Sequence, residues 1–258
     1  MDRAAALAAL DNQLRDTVRP LGVGRLERAG NVIRCVSPWQ DGWNGVDWSD
    51  LDAATADAAI AEQVAYFASL GRSFEWKYYT HDEPADLPER LRAAGLRPDP
   101  EEAVMVAEIA DVPEVAAPEG IELRTVTDDA GLEAARQVMA AVFGGDHARG
   151  TASLRERLAR DPSALAIVLA LDGEVPVSAS LIDFHAGTDF GSLWGGATLP
   201  SWRRRGIYRA MVSHRARLAA ARGFTYLRID ALPTSRPILE KVGFTRISTT
   251  IPYLSQQP

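Results

Sequence analysis

The chain has 258 residues, 47% of them hydrophobic, a formal net charge of −7 and one cysteine. That composition describes a globular chain with one large core or two modest ones, and it excludes disordered and fibrous classes. No run of about 18 apolar residues occurs, and MDRAAALAALDNQLRD carries acids in its first turns. Neither a membrane span nor a signal peptide is expected, and the reading is a cytoplasmic protein.

Cys35 is the lone cysteine, so an intrachain disulfide and a multi-cysteine metal site are excluded. Within NVIRCVSP, which reads as a strand, its thiol is expected simply to pack. Charge is unevenly spread: 1–118 hold 11 Lys/Arg against 21 Asp/Glu, net −10, whereas 119–258 hold 17 against 14, net +3. Lysine is confined to Lys77 and Lys241, so arginine is the default cation of this chain and its abundance alone carries no functional message.

In the first half, SPWQDGWNGVDW clusters Trp39, Trp43 and Trp48 with Asp41, Asp47, Asp50 and Asp52. Such a surface suits a cationic amine through cation–π contact and carboxylate pairing, or it packs its aromatics and solvates its acids. TADAAIAEQVAYFASLGR then reads as a helix with Ile60, Val64, Phe67 and Leu70 in register, SFEWKYYTH as a strand containing Glu75 and Lys77, PADLPERLRAAGL as a glycine-closed helix, and EEAVMVAEIAD as a strand. VPEVAAPEG carries two prolines, a glycine and no apolar period, which places a linker at 114–120 between lobes 1–113 and 121–258.

After it, GIELRTV reads as a strand, followed by the helices DDAGLEAARQVMAAVFG and ASLRERLARDP. Three strand-like runs follow, ALAIVLALDG, PVSASLIDFHAG and TDFGSLWGGATLP, joined by tight DGEV and AGTD turns into an antiparallel meander. A helix starting near Ile207 is expected to bury Ile207, Ala210, Met211, His214, Leu218 and Ala221. TYLRIDAL is a strand, TSRPILEKVG a short helix, and FTRISTTIPYL a closing strand pair. AYFASLGRSFEWKYYTH answers RLAAARGFTYLRIDA, and LPERLRAAGL answers SRPILEKVGF, so the halves read as a duplicated fold.

Between TDFGSLWGGATLP and the helix at Ile207 lies SWRRRGIY. A helix start leaves backbone N–H groups unpaired at the positive end of its dipole, and a glycine turn just ahead lets a phosphate approach them. Flanking arginines add fork-shaped, charge-assisted donors. Arg203-x-x-Gly206-x-Tyr208 after a strand therefore reads as a pyrophosphate cradle built by Arg203, Arg204, Arg205, Gly206, Ile207 and Tyr208.

This stretch resembles the signature of the GNAT superfamily of acetyl-CoA-dependent N-acetyltransferases, Arg/Gln-x-x-Gly-x-Gly/Ala after the fourth strand. The resemblance spans about 119–256 and includes the lead-in ATLP-x-x-R and the later EKVGF. It implies an α/β (α+β) fold with a mixed, mainly antiparallel sheet flanked by helices, and acetyl-CoA as co-substrate. Pantetheine would pair with the backbone of Ala197, Thr198 and Leu199. It also implies a tandem protein whose N-terminal lobe is degenerate: WNGVDWSDLDAAT offers acids where a pyrophosphate needs donors.

Two departures stand out. Tyr208 takes the last Gly/Ala position of the signature, and Leu239 takes the position of the tyrosine that protonates the leaving thiolate in many members. A positioned acid contributes about 10²–10⁴-fold, so its loss slows transfer without abolishing it, and Tyr253, Tyr208 or water could stand in. On the acceptor side, deprotonating an alkylamine at pH 7 costs about 4.6 kcal/mol, for which Asp183, Asp189 and Asp230 are candidate bases. Ser235 in TSRP is a helix N-cap or a thioester contact. His214 reads as a packed residue, and His81 and His185 stand alone without zinc-ligand spacing, so no metal is expected.

The expected function is acetyl (acyl) transfer to a primary amine of a small molecule or peptide. The alternative is a catalytically silent acyl-CoA-binding regulatory protein. Nucleic-acid binding through WRRRGIYRAMVSHRAR is opposed by the net charge of −7.

Overall fold

The computed structural model describes residues 1–18, 24–39 and 42–256; Asp41 lies outside them. The chain forms two compact units. The N-unit comprises Asp2–Val104, Asp230–Thr234 and Arg246–Pro258, and the C-unit comprises Met1, Met105–Ile229 and Ser235–Thr245. The division falls at Val104/Met105, not at the expected linker. The segment read as a linker is packed within the C-unit, where the Val115 N–H donates to Ser213 Oγ at 2.9 Å.

The N-unit begins with α1 (Arg3–Leu10), capped by Asp2, whose carboxylate accepts from the Ala4 and Ala5 N–H groups. Next come β1 (Arg25–Ala29), β2 (Val32–Val36), β3 (Gly45–Ser49), α2 (Ala56–Ser69), β4 (Glu75–Tyr79), α3 (Leu87–Ala93), β5 (Arg97–Pro98) and β6 (Glu102–Glu108), which runs through the unit boundary. Its sheet is antiparallel from β1 through β3, and β4 joins β3 in parallel across the helix α2. Phe67 of α2 stacks on Phe74 at 4.6 Å in a core with Ile60, Trp76, Leu87 and Leu91. Cys35 is buried in β2, as its apolar neighbours imply.

The C-unit holds β7 (Ile121–Thr125), α4 (Asp129–Phe143), α5 (Ala148–Arg160), β8 (Leu165–Asp172), β9 (Val175–Phe184), β10 (Phe190–Thr198), α6 (Ile207–Ala220), β11 (Tyr226–Ala231) and α7 (Arg236–Glu240). Strands β7 to β10 form the expected antiparallel meander, and β11 joins β10 in parallel. The run LAIVLALD of β8 is buried on both faces because helices cover both sides of the sheet. Ile167 and Leu169 face a cluster with Leu132 and Val138 of α4, whereas Val168 and Ala170 meet Ile207 and Met211 of α6.

The final segment is one ten-residue strand, β12 (Thr245–Leu254), not the strand pair expected. Within the N-unit it pairs antiparallel with β4, Thr250 to Leu254 against Tyr79 to Glu75. Each unit thus has antiparallel strands followed by a strand–helix–parallel strand crossover, β3–α2–β4 in one and β10–α6–β11 in the other. The mixed, mainly antiparallel α/β architecture is the one the sequence predicts, in duplicate. Among the described residues no helix is long and apolar enough to cross a membrane.

Candidate cofactor cleft and its surroundings

Parallel pairing of β10 with β11 covers only Phe190–Ser192 against Tyr226–Arg228, after which the strands part. On its other side β10 stays bonded to β9, but with a break in register: Trp194 faces Leu181 and Ala197 faces Ala179. Three steps along β10 match two along β9, which is a β-bulge at Gly195 and Gly196. Gly195 has φ +59, and a Cβ there would stand 3.1 Å from Met139 Cε. A Cβ at Gly196 would stand 2.9 Å from the Tyr208 ring. Two glycines are therefore required, one for conformation and one for space.

Beyond the bulge, the Leu199 N–H donates to Val177 O at 3.0 Å, so this residue's ladder bond goes to β9. Antiparallel alternation turns the backbone groups of Thr198 the other way, to the open side. The Thr198 carbonyl accepts from Arg203 Nε at 3.0 Å, and the Ala197 carbonyl accepts from Ser178 Oγ at 2.6 Å. Side-chain bonds thus hold the edge in place.

A short 3₁₀ turn at Pro200–Trp202 leads into Arg203, Arg204, Arg205 and Gly206. Arg204 at φ +63 and Gly206 at φ +87 are both left-handed and curl this backbone, as anion-binding nests do. Gly206 occupies the N-cap position of α6 without a side-chain acceptor, leaving the first N–H groups of the helix, at Ile207 and Tyr208, open to an anion. The three arginines are exposed, and the Arg205 guanidinium lies 4.4 Å above the Trp202 ring. This turn fits a pyrophosphate in donors, charge and curvature. The Tyr208 ring turns back onto Gly196 instead of standing over the turn, and burial raises its hydroxyl pKa, with Arg215 working in the opposite direction.

The buried face of α6 differs from the expected one. Arg215 is 1% exposed, whereas His214 and Leu218 are half-buried. Arg215 Nε donates to Met211 O at 3.1 Å and Nη1 donates to Leu181 O at 3.0 Å. Burial pulls its pKa down to about 10, with Tyr208 countering. Burial also lowers His214, reinforced by Arg217 and Arg215.

The catalytic candidates are dispersed. Asp183 on β9 is held by Arg157 of α5 at 2.5 Å. Asp230 and Tyr253 belong to the N-unit, where Lys77 Nζ meets the 2%-exposed Asp230 carboxylate at 2.6 Å. Tyr253 is fully buried, 6.2 Å from the Tyr78 ring centroid. Asp189 precedes β10, and its main-chain oxygen accepts from Thr225 and Tyr226. Ser235 holds the N-cap position of α7 through its carbonyl, which accepts from Ile238 and Leu239; its hydroxyl makes no capping bond. Leu239 is fully buried.

The histidines serve local structure. His185 Nε2 pairs with Ser192 Oγ at 2.7 Å, and His81 lies between Asp11 and Ser248. Among the described residues no group of three or more His, Cys, Asp or Glu forms a metal-binding set.

The matching place in the N-unit is filled by the protein itself. Strand β3 pairs with β4 only at Gly45 and Val46, yet the turn leading into α2 is occupied by Asp52. Its carboxylate accepts from the Ala54 and Thr55 N–H groups at 2.9 and 2.8 Å and from Thr55 Oγ1 at 2.7 Å. The Thr55 hydroxyl and these N–H groups lower the Asp52 pKa. Where the turn before α6 offers arginines and free N–H groups, the turn before α2 has its Ala54 and Thr55 N–H groups taken by a carboxylate. Two of the tryptophans make internal contacts, Trp43 Nε1 donating to Glu75 at 2.9 Å and Arg28 lying 4.9 Å above Trp48, while the rings of Trp39 and Trp43 stay exposed. Burial raises the Glu75 pKa, and Lys77 and the Trp43 bond offset part of this.

Residues 132–244 match the Acetyltransferase (GNAT) family. The fold is similar to that of a GCN5-related N-acetyltransferase from Kribbella flavida, with TM-score 0.72 and 18% identity over 99% of this chain and 95% of that one. It is also similar to a GCN5-related N-acetyltransferase from Sphaerobacter thermophilus (0.64, 14%, 88% and 78%). A tandem GNAT protein from the clavulanic acid biosynthesis pathway, solved without AcCoA, is a further likeness (0.62, 12%, 99% and 94%). No curated protein matches the sequence. The family match lies over the bulged strand, the glycine turn and helix α6, so residues 132–244 carry a GNAT-type acetyltransferase domain.

Proposed function

We propose that the protein transfers an acetyl group from acetyl-CoA to a primary amine of a small molecule or peptide in the cytoplasm, and that the C-unit is its catalytic part. The carrying observation is the pairing of a splayed, bulged β10 edge with an N-terminal turn of α6 that has unspent donors. Pyrophosphate is assigned to the N–H groups and arginines of 203–208, and pantetheine to the β10 segment Ala197, Thr198 and Leu199, whose open side is at Thr198, with Ser235 a further contact from α7. The N-terminal lobe, 1–113, is assigned no CoA site, in keeping with the Asp52 carboxylate in the turn before α2.

In the reaction the neutral amine nitrogen forms its bond to the acyl carbon, the C–S bond breaks, and sulfur leaves with the electron pair. The proton shed by nitrogen passes to a base or water. Asp183 and Asp230 are each already engaged by a cation, Arg157 and Lys77 respectively. Water is therefore the preferred first acceptor of the proton. Leu239 in the place of the family's tyrosine supports a second reading, a silent acyl-CoA-binding protein.

Calorimetric titration with acetyl-CoA tests the site. Gly206→Pro, which cannot adopt φ +87, and Arg205→Glu are expected to weaken binding at least about tenfold. Unchanged binding in both would overturn the assignment. Thiol release with a pooled amine panel separates the two readings, because the silent protein binds acetyl-CoA and releases nothing.

A further inference from the structure

Arg215 is a fully buried cation on α6. Its side chain is 1% exposed, and its hydrogen bonds go to two main-chain carbonyls, Met211 O on its own helix and Leu181 O on β9. Nη2 is buried with no partner among the described residues. A buried cation without an ionic partner is costly to desolvate, so packing alone gives little reason for an arginine here.

Its position gives a better reason. Leu181 faces Trp194, the last residue of β10 in register before the bulge. A bulge leaves ladder groups out of step, and Arg215 Nη1 takes the Leu181 carbonyl at that point. Tyr208, seven residues earlier on α6, lies on the same helix face with its ring against Gly196 of the bulge. Arg215 and Tyr208 thus meet the two strands of one irregularity, β9 at Leu181 and β10 at Gly196.

We infer that Arg215 is a positioning residue for acyl transfer: it pins the β10 bulge through the Leu181 carbonyl and sets a fixed positive charge beside the departing sulfur. This rests on the acetyl-CoA reading above. Sulfur leaves as an anion, and with Leu239 in the place of the family's tyrosine that anion has no proton donor from α7. A preorganised charge in a dry site stabilises such a species without reorganisation. The titratable neighbours that share these surroundings are Tyr208 and His214, both on α6, while β9 presents a main-chain carbonyl.

The test uses the whole chain with CoA and with desulfo-CoA, its sulfur-free analogue, titrated calorimetrically at pH 6 and pH 9. An adjacent cation lowers a thiol pKa by about one unit or more, so CoA affinity relative to desulfo-CoA is expected to rise about five- to tenfold between these pH values. Arg215→Gln keeps a donor for the Leu181 carbonyl but no charge, and there the rise should fall below about twofold while desulfo-CoA binding persists. Arg215→Lys should restore most of it. A purely structural arginine would shift the melting temperature and both ligands alike. An equal rise in Arg215→Gln and wild type, or none in wild type, overturns the inference. Failure of the wild type to bind either ligand instead overturns the acetyl-CoA reading beneath it.

Discussion

Arg15 in the N-unit shows what a single residue can demand of its surroundings. Its guanidinium is 3% exposed, meets both Asp82 oxygens at 2.8 and 3.0 Å and Asp11 at 2.7 Å, and lies 3.7 Å over the Tyr79 ring. Desolvating such a group is worthwhile only while its partners are complete, so removing one leaves an uncompensated buried charge. Asp82→Ala is expected to cost about 3–5 kcal/mol in a denaturant titration, and Arg15→Met with Asp82→Leu together should cost less than either alone. An additive double variant would show that the two side chains are uncoupled. Neither Arg15 nor Arg215 was legible in the sequence. An arginine within a helical period reads as an outward-facing position, and only the tertiary neighbours, a carboxylate in one case and a bulge carbonyl in the other, turn it inward.

The segment from β10 to α6 was the most legible element, because glycine spacing, the preceding strand and the start of a helix all constrain the same few residues. What remained hidden was the coupling between its two ends. The Tyr208 ring lies where a Gly196 side chain would be, 2.9 Å from an ideal Cβ. Gly196→Ala is therefore expected to displace the ring and weaken acetyl-CoA binding about tenfold, and adding Tyr208→Ala should recover most of that loss. A loss that persists in the double variant would mean that Gly196 is needed for its backbone alone. The closing strand shows the opposite limit of sequence reading. FTRISTTIPYL reads as a strand pair, yet β12 runs unbroken through Pro252, whose carbonyl accepts from the Asp99 N–H at 2.8 Å.

Across the whole molecule, the duplicated pattern and the charge difference of −10 against +3 were legible, because each is summed over many residues. The division of the chain was not. A proline-rich stretch marks a loop, but composition cannot say which unit a later strand will join. Here Thr250 to Leu254, downstream of the GNAT match, pair with β4, and Tyr253 is buried in the core that holds Trp76 and Phe67. A fragment cut at the expected linker, 121–258, would therefore carry a strand whose five paired positions, Thr250 to Leu254, have lost Glu75 to Tyr79. An unpaired strand with a hydrophobic face is an aggregation template. The fragment is expected to be insoluble or to melt without cooperativity, and co-expression with 1–120 should recover a soluble complex. A fragment that melts cooperatively within a few degrees of the intact chain would show that β12 contributes little to the N-unit, and that the boundary read from composition is the functional one after all.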